Sequence, residues 1–478
     1  MTNTTETTVL KRELNLMDAT LLVAGSMIGS GIFIVSADIS RHIGSAGWLI
    51  LVWLIGGFMT LTAALSYGEL SGMYPKAGGQ YVYLHEAYNP LISFLYGWSL
   101  FAVIQTGTIA AVGVAFSKYL AYFLPFFSED LKVFTLGSFS ISHAQLFSIA
   151  IIVLLTYINT KGIKSGKIIQ ALFTSAKVLG IIGLIIFGFI FYKSDVWAAN
   201  WHDTWHIRSI DAKGLFGNYE GAAATCGAVA SALVGAIIGY DAWNNVTFMA
   251  GEITNPKKNI GLSLLLGTLT VTILYVLINV MFTAVLPLQQ IANTPKDRIG
   301  IAASQAIFGS AGTGIVALII LIATFGCNNG LILSGARVYY SMAKDGLFFK
   351  KVGTLNKFAV PEIALWLQCA VAAILSLSGK YGDLLDMISF VVVIFYILTI
   401  AGIIVLRKKR PDIERPYKAF GYPFLPIIYI IMGISFCVLL IFYKPQFTWP
   451  GLIITLIGVP LYFINEKSHK KTTESKRA

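Results

Sequence analysis

The first apolar segment of the chain reads Leu21-Leu-Val-Ala-Gly-Ser-Met-Ile-Gly-Ser-Gly-Ile-Phe33, with three glycines near its middle. A second segment reads Gly235-Ala-Ile-Ile-Gly-Tyr-Asp-Ala-Trp-Asn-Asn245 and carries an acidic residue at the corresponding place. Both contain the spacing G-x-x-x-G, and the two copies lie 210 residues apart. Glycines at this spacing let two helices pack closely. The polar pairs that follow them, Ser30-Gly31 and Tyr240-Asp241, instead favour a break in each helix.

The composition excludes a water-soluble protein. Only 12% of the 478 residues are charged, whereas 56% are hydrophobic, and the mean hydropathy is +0.74. Because so few charged residues cannot cover the surface of a chain this long, most of that surface must face lipid. The net charge of +12 would also suit nucleic acid, but the positive residues stand between apolar segments, as topology signals do.

Twelve apolar segments have about the 20 residues that a helix needs to cross a bilayer. They lie at 17–39, 46–70, 91–115, 142–160, 167–192, 222–251, 261–288, 312–343, 361–379, 384–406, 421–443 and 447–465. An even number of spans places both termini on the same side of the membrane. The tails and the loops on that side hold 24 of the 35 lysines and arginines, so the positive-inside rule predicts cytoplasmic termini.

The two glycine-containing segments are the first and the sixth spans, so each begins a unit of five. An odd number of spans inverts the second unit relative to the first. Interrupted spans in corresponding positions are typical of secondary transporters built from inverted repeats, which bind substrate at the breaks. The predicted parts are a cytoplasmic tail at 1–14, a five-helix repeat at 15–195, its inverted copy at 222–406, two peripheral helices at 421–465 and a cytoplasmic tail at 466–478.

Two breaks of opposite polarity would bind a molecule that carries both charges. A half-helix that begins at Ser30-Gly31 presents free N–H groups and the positive end of a helix dipole, which suit a carboxylate. A half-helix that ends near Ile238-Gly239 presents unpaired carbonyl groups, which suit an ammonium group. Irregular backbone at this depth persists only where it is buried in protein or lines a cavity. An α-amino acid is the smallest common molecule that fits, so we predict an amino acid substrate.

Several stretches along the chain carry a family resemblance. They are Gly25-Ser-Met-Ile-Gly-Ser-Gly-Ile-Phe33, Tyr74-Pro-Lys-Ala-Gly-Gly-Gln-Tyr-Val-Tyr83, Tyr240-Asp-Ala-Trp-Asn-Asn245, Gly251-Glu-Ile-Thr-Asn-Pro-Lys-Lys-Asn259, Ser334-Gly-Ala-Arg-Val-Tyr-Tyr-Ser-Met-Ala-Lys-Asp-Gly346 and Arg415-Pro-Tyr-Lys-Ala-Phe-Gly-Tyr-Pro423. With them the chain resembles the amino acid–polyamine–organocation (APC) superfamily, and within it the L-type amino acid transporter branch. The resemblance implies twelve transmembrane helices, namely two inverted repeats of five, with helices 1 and 6 broken, and two C-terminal helices.

The resemblance also implies where the substrate would lie. Its carboxylate would meet the backbone of Ser30 and Gly31, and its ammonium group would meet carbonyls of Met27 and Ile238 and also Asp241. The family often has Phe at the gating position that Ile238 occupies here, which affects how the outer gate closes. The predicted substrate-binding residues are Met27, Gly29, Ser30, Gly31, Ile238, Gly239, Tyr240, Asp241, Trp243 and Asn244.

Several polar residues of the predicted spans allow two interpretations. Asp241 either contacts the substrate, a basic side chain in particular, or caps the second half of the sixth span. Tyr240, Trp243 and Asn244 either line the pocket or pack in the core. Asn328-Asn329 in the eighth span either faces a cavity or hydrogen-bonds between helices.

Charged residues near the cytoplasmic ends of the spans form a further candidate group. Glu69, Glu252 and Arg337 lie at helix ends, and Lys76 lies in a nearby loop. They either form a gate network or are ordinary solvated charges at helix ends.

Lys177 lies in the fifth span, ten residues from Lys167 and sixteen from Lys193. Ten residues of helix rise about 15 Å, which is too deep for easy snorkelling to the interface. An ionisable residue at this depth is a functional candidate by default, and the alternative interpretation is a structural cation that only bridges helices. In sodium-coupled relatives a cation binds between spans one and eight, and the resemblance implies that the Lys177 ammonium group takes its place. A titrating role in proton coupling is the alternative.

We therefore predict a sodium-independent transporter of L-amino acids, an exchanger (antiporter) that works by alternating access in the plasma (inner) membrane. A proton-coupled symporter with Lys177 as the titrating group is the alternative. An ion channel would require a filter-like repeat, and the H-E-x-x-H, G-x-S-x-G and P-loop motifs of enzymes do not occur in the sequence. No cofactor or metal is expected. Since residues 116–141 contain no cysteine, we expect no disulfide-linked heavy chain.

Overall fold

The computed structural model describes residues 10–136, 139–211, 213–378 and 381–474, most of which are helical. The helices of the first half are α1 (Leu16–Met27), α2 (Val35–Ile43), α3 (Ala46–Met73), α4 (Gln80–Ala87), α5 (Pro90–Ser99), α6 (Gln105–Leu120), α7 (His143–Thr160), α8 (Ile163–Ile190) and α9 (Ser194–His202). Those of the second half are α10 (Ala222–Tyr240), α11 (Asn245–Phe248), α12 (Pro256–Val285), α13 (Leu288–Ala292), α14 (Ile299–Lys344), α15 (Glu362–Ser378), α16 (Tyr381–Lys409), α17 (Phe424–Tyr443) and α18 (Pro445–Glu474). Parts of the predicted tails, residues 1–9 and 475–478, lie outside the described residues.

Two short antiparallel hairpins lie in loops between the long helices. One pairs β1 (Lys132–Leu136) with β2 (Phe139–Ser142), and the other pairs β3 (Arg208–Ile210) with β4 (Phe216–Asn218). The analysis of apolar segments did not predict them, because loops of this length carry no span signal. Both lie outside the long apolar helices and leave the helical architecture unchanged.

The predicted class, an all-α polytopic membrane protein, is confirmed. In the described part of the chain, eleven helical segments are long and apolar enough to cross a membrane. The ninth predicted span, at 361–379, corresponds to a shorter apolar helix over Glu362–Leu377, within α15. A helix of that length rises only about 24 Å, less than the ~30 Å of a typical hydrocarbon core. The structure therefore gives eleven clear spans and one short one.

The first span is interrupted where the glycines predicted a break. Helix α1 ends at Met27, a single 3₁₀ turn covers Gly31–Phe33, and α2 begins only at Val35. The backbone of Ile34, with φ −124° and ψ −50°, separates the turn from α2. The second half-helix was predicted to begin at Ser30-Gly31. It begins at Val35, four residues after Gly31.

The sixth span is interrupted as well. Helix α10 ends at Tyr240, and the short helix α11 begins at Asn245. Between them Asp241 is extended, with ψ 172°, and Ala242 has φ 66°, which a non-glycine residue adopts only when its surroundings enforce it. The chain changes direction here without a proline.

Two further irregularities lie in the third span and just before the eighth. Helices α5 and α6 are joined through a π-helical turn, Leu100–Ile104, which widens one side of the third span. Helix α14 bends at Gly309, whose φ of 65° favours glycine. The sequence analysis predicted neither irregularity.

The broken helices lie at the centre of the bundle. Helix α1 packs against α8, α12 and α14, and α10 packs against α2 and α3. Helices α3 and α12 form the most extensive helix pair among the described residues. Their backbones approach closely at Gly68 and Gly261, where a Cβ on Gly261 would lie 3.3 Å from the Gly68 Cα. The division into two inverted repeats stays a prediction.

The N-terminal segment is attached to the segment that follows the second break. Asn15 caps α1, since its Oδ1 accepts from the Asp18 N–H at 2.9 Å and the Asp18 carboxylate accepts from the Asn15 N–H at 2.9 Å. The N–H of Leu14 donates to the Glu252 carbonyl at 3.0 Å, and the N–H of Thr254 donates to the Leu14 carbonyl at 2.8 Å. These bonds close the bundle at the end that carries the N-terminus.

Candidate functional site between the two broken helices

The two breaks approach each other directly. A Cβ built on Gly31 would lie 3.4 Å from the Cα of Gly239, so the start of the second half of span one contacts the end of α10 backbone to backbone. A Cβ on Gly239 would lie 2.7 Å from the Trp53 ring on its other side. Gly239 therefore leaves no room for a Cβ, whereas a Cβ on Gly31 would just reach van der Waals contact and larger side chains there would meet Gly239.

The first break presents N–H groups at the start of a turn. The N–H groups of Phe33 and Ile34 donate to the carbonyls of Ser30 and Gly31, each at 3.0 Å. The N–H groups of Gly31 and Ile32 precede these bonds and therefore have no carbonyl of the same turn in front of them. This arrangement can receive an anion, although the α-helix itself begins further on.

The predicted ammonium-binding carbonyls already accept hydrogen bonds from the protein. The Met27 carbonyl accepts from the Gly29 N–H and from the Tyr275 hydroxyl, both at 2.9 Å. The Ile238 carbonyl accepts from the Asp241 N–H at 3.1 Å. A carbonyl oxygen has two lone pairs, so both sites on Met27 are used, whereas Ile238 keeps one for a ligand.

A small cavity, with about 20 Å³ of space open to water-sized molecules, adjoins the second break. Its walls come from α4, α5, the π turn, α6, the break of the sixth span, α11, α14 and α16. Its lining residues are Gln80, Tyr96, Leu100, Ile104, Gln105, Thr108, Asp241, Ala242, Asn244, Asn245, Phe248, Leu331, Val392 and Tyr396. Of the predicted substrate-binding residues, Asp241 and Asn244 line it, and the other eight do not.

The polar groups of this wall form a hydrogen-bond network. The Tyr396 hydroxyl donates to Asp241 Oδ1 at 2.7 Å. The Asn244 side-chain amide donates to Gln80 Oε1 at 2.8 Å, and Gln80 Nε2 donates to the Thr399 hydroxyl at 3.0 Å. The network joins the break of the sixth span to α4 and α16, which lie far away in sequence.

Sequence reasoning missed Gln80, Gln105 and Tyr396. Gln105 is a buried amide within the third span, whose Nε2 donates to the Leu331 carbonyl at 2.7 Å. An amide inside an apolar segment is a signal that could have found Gln105. A tyrosine such as Tyr396 gives no comparable signal, because buried tyrosines are common in apolar helices.

Tyr240 and Trp243 pack in an aromatic core instead of lining the cavity. The Tyr240 hydroxyl donates to the Trp53 carbonyl at 3.1 Å, and the two rings lie edge to face with centroids 5.5 Å apart. The Trp243 ring contacts Tyr67 at 4.7 Å and Tyr396 at 5.3 Å between centroids. Of the two interpretations for these residues, the described contacts correspond to packing.

Lys177 is fully buried on α8 and reaches across to the first break. Its ammonium group donates to the carbonyls of Gly25 at 2.5 Å and Ile28 at 2.6 Å, on span one, and to that of Ala323 at 3.3 Å, on α14. The side chain thus connects spans one, five and eight at the place where α1 ends.

The two asparagines of the eighth span have different surroundings. Asn329 bonds between helices, since its Nδ2 donates to the Gly166 carbonyl and to Gln170 Oε1, each at 3.1 Å, and its Oδ1 accepts from Asn159 at 3.0 Å. Asn328 is also buried, but neither of its amide atoms has a hydrogen-bond partner among the described residues.

Ion pairs close the end of the bundle that carries the N-terminus. Glu252 and Arg337 form a bidentate pair at 2.9 and 3.1 Å with both side chains buried. Glu69 is likewise buried and pairs with Arg407 at 2.7 Å. Lys76 is exposed and lies outside both pairs, so the structure does not bring it into the predicted gate network.

At the opposite end, Arg41 on α2 bonds to Asp297 at 2.7 Å and to the Ala292 carbonyl at 3.0 Å. Charged side chains therefore join neighbouring segments at both ends of the central region in this structure. The cavity beside the second break lies between them.

Comparison with known proteins identifies the family. A sequence model described as amino acid permease matches residues 14–462. The chain is 30% identical over 464 residues to the serine/threonine exchanger SteT of Bacillus subtilis, covering 96% of this chain and 98% of that protein. It is 28% identical over 474 residues to the b(0,+)-type amino acid transporter 1 of Mus musculus, covering 97% and 90%. It is 29% identical over 461 residues to the large neutral amino acids transporter small subunit 2 of Homo sapiens, covering 95% and 80%. The chain therefore belongs to the amino acid permease family of the APC superfamily, as its motifs predicted.

Proposed function

We propose that this protein carries L-amino acids across the membrane by alternating access and works as a sodium-independent exchanger. The observation that carries the proposal is the direct contact of two broken helices at Gly31 and Gly239, with the N–H groups that begin a 3₁₀ turn at the first break and a polar cavity beside the second. The named relatives, among them a serine/threonine exchanger, support the same class of substrate and the same mode of transport.

The proposed substrate site follows from the polarity of the breaks. The carboxylate group would bind at the turn that begins at Ser30 and Gly31, beside Gly29, where N–H groups and the dipole of the following half-helix favour an anion. The ammonium group would bind at the Ile238 carbonyl, which keeps a lone pair. A bond to Met27 would require that the carbonyl exchange one of its present donors for the substrate.

The other predicted residues would either shape the binding site for the carboxylate and ammonium groups or contact the rest of the substrate. Gly239 permits the close approach of the two helices, while Tyr240 and Trp243 hold the shape of the break through aromatic packing. Asp241 and Asn244 would contact the substrate beyond its backbone groups, because both line the cavity.

Sodium independence is proposed from the position of Lys177. Backbone carbonyls at an unwound helix are the ligands that sodium-coupled transporters use for their cation. Here the ammonium group already bonds to three such carbonyls, those of Gly25, Ile28 and Ala323. A fixed positive charge at this place binds the carbonyl groups that a sodium ion would bind, and it repels sodium electrostatically.

Proton-coupled symport is the alternative, and the burial of Lys177 is the observation that favours it. A fully buried amine surrounded by carbonyls can exchange its proton when the surrounding helices move. The two mechanisms differ in whether transport requires substrate on the far side of the membrane.

Further features of the proposed function concern the surroundings of the protein. We place it in the plasma (inner) membrane with both termini in the cytoplasm, on the distribution of lysine and arginine. We also propose that it works without a disulfide-linked heavy chain, since the loop between the third and fourth spans contains no cysteine. Transport rather than enzymatic catalysis is its proposed activity.

Counterflow in proteoliposomes tests the proposal. Vesicles that contain purified protein and an internal amino acid should take up the labelled amino acid rapidly, while empty vesicles should take up little. Replacement of sodium by choline should leave the rate unchanged. Strong stimulation by sodium would contradict the role proposed for Lys177, and uptake into empty vesicles driven by an imposed proton gradient would favour symport.

A further inference from the structure

The cavity beside the second break holds polar groups that the protein itself does not satisfy. The Tyr96 hydroxyl and the Asn245 amide nitrogen belong to residues of the cavity wall, and neither has a hydrogen-bond partner in the part of the chain that the structure describes. Each side chain is only 2% exposed. Because roughly 90% or more of buried polar groups are hydrogen-bonded in native proteins, two such groups in one small wall require an explanation.

A third group of this kind lies next to the same wall. Both amide atoms of Asn328 are buried and unpaired within the described structure. Asn328 precedes Leu331 of the cavity wall by three residues on α14, and residues three apart share one face of a helix. The cavity wall itself therefore holds unsatisfied groups of the third and sixth spans, and Asn328 of the eighth span lies one helical turn from a wall residue.

The cavity adjoins the break of the sixth span, next to the carbonyl proposed to bind the ammonium group of the substrate. Asp241 and Ala242 belong both to the break of the sixth span and to the cavity wall. A substrate whose carboxylate and ammonium groups lie at the breaks would therefore direct its side chain into this space.

We propose that the cavity selects neutral amino acids whose side chain carries a hydroxyl or a carboxamide group, with Tyr96 and Asn245 as specificity-determining residues. This inference rests on the proposed function, because it places the substrate side chain by the position of its backbone groups. The oxygen of a hydroxyl or carboxamide accepts from the Asn245 N–H, and either group donates to or accepts from the Tyr96 hydroxyl.

Apolar and cationic side chains fit this wall less well. An apolar side chain leaves both groups unpaired, and sites built to hydrogen-bond a substrate discriminate strongly against analogues that lack the bonding group. An ammonium or guanidinium group offers only donors and cannot accept from Asn245. The Asp241 carboxylate accepts one hydrogen bond, from Tyr396, and keeps further lone pairs that would attract a cation, so basic amino acids belong in the test.

A substrate panel on the unmodified protein tests this selectivity. Counterflow into proteoliposomes is measured with serine, threonine, asparagine and glutamine, with alanine, valine and methionine, and with lysine and arginine. We expect kcat/KM for threonine to exceed that for valine, which has the same shape, by at least about tenfold. Equal or faster transport of valine, or preference for the basic amino acids, would overturn the inference. Failure to transport any amino acid would instead contradict the proposed function.

A single-atom substitution tests the residue assignment. Tyr96→Phe removes only the hydroxyl, so it should lower kcat/KM for threonine about tenfold and leave that for valine unchanged. Asn245→Leu, which keeps the branched shape of the side chain and removes its amide, should act in the same direction. The matched control is Tyr74→Phe. It removes another buried hydroxyl that has no partner among the described residues and lies away from the cavity wall. It should leave kcat/KM unchanged for both threonine and valine. An equal loss for threonine and valine in Tyr96→Phe would show a structural role and refute the assignment.

Discussion

Lys177 determines how the break of the first span is held. Its ammonium group bonds to carbonyls of two other spans, and these bonds cannot all persist when the helices move against each other. We expect Lys177→Ala to impair translocation in counterflow by more than tenfold while substrate affinity changes little. Lys177→Arg should rescue only in part, because a planar guanidinium presents its donors in a different geometry from a compact ammonium group.

The control for this variant is a measurement on the same protein. Substrate binding to detergent-solubilised Lys177→Ala, followed as ligand-induced thermal stabilisation, separates binding from movement. A variant that transports at the wild-type rate would refute a role in the cycle. A variant that responds to a proton gradient less than the wild type does would favour the symport mechanism.

Gly31 is the residue where the two breaks meet. In Gly31→Val the γ-methyl groups would enter the space of Gly239, whose Cα lies 3.4 Å from the position of the new Cβ. We therefore expect uptake to be abolished while expression and insertion persist. Gly183→Val is the matched control, because a Cβ on Gly183 meets nothing within 4 Å, and it should transport normally. Unchanged substrate affinity in Gly31→Val would remove the carboxylate site from this helix.

At the scale of elements, the pair of Glu252 and Arg337 joins the segment after the second break to α14. Removing one partner of a buried ion pair leaves the other charge uncompensated, at a cost of about 3–5 kcal/mol in stability. We expect Glu252→Gln to lower the melting temperature in detergent markedly and to open the N-terminal end of the bundle. Replacing both partners with apolar residues of similar volume should recover much of the stability.

The chain offers an exposed ion pair as the control for this prediction. Lys257 and Glu414 form an ion pair at 2.6 Å, but their side chains are 49% and 71% exposed. Exposed pairs contribute less than about 1 kcal/mol, so Glu414→Gln should leave the melting temperature nearly unchanged. If both substitutions had the same small effect, the buried pair would not be what holds this end closed.

At the scale of the whole molecule, the short helix α15 decides the topology of everything that follows it. If both α15 and α16 cross the membrane, Thr354 and Pro411 lie on the same side, and both termini lie in the cytoplasm. Alkaline phosphatase fused after either residue should then be inactive, and GFP fused to the C-terminus should fluoresce. Activity after Pro411 together with inactivity after Thr354 would show that α15 does not cross the membrane.

Local sequence determined the fold class and the places of the breaks. Span length and hydropathy are properties of a single segment, so eleven long helices and the shorter α15 could be located without knowledge of their neighbours. The glycines and polar pairs of the first and sixth spans act on their own backbone, and α1 and α10 end within a few residues of the predicted points. The start of α2 was misjudged, because a 3₁₀ turn and the backbone of Ile34 precede it.

Only the tertiary structure decided which groups remain available at those breaks. Whether the Met27 carbonyl is free depends on Tyr275, which lies 248 residues away, and Lys177 meets its carbonyl partners across 146 to 152 residues. The cavity wall likewise combines residues of α4 and of the third, sixth, eighth and tenth spans, of which only Asp241 and Asn244 of the sixth were predicted from the sequence. Whether a polar group is hydrogen-bonded depends on its neighbours in space, so the sequence of one segment cannot determine it. The sequence by itself therefore determined where the helices break, while the packing of the bundle decided which polar groups are left to meet a substrate.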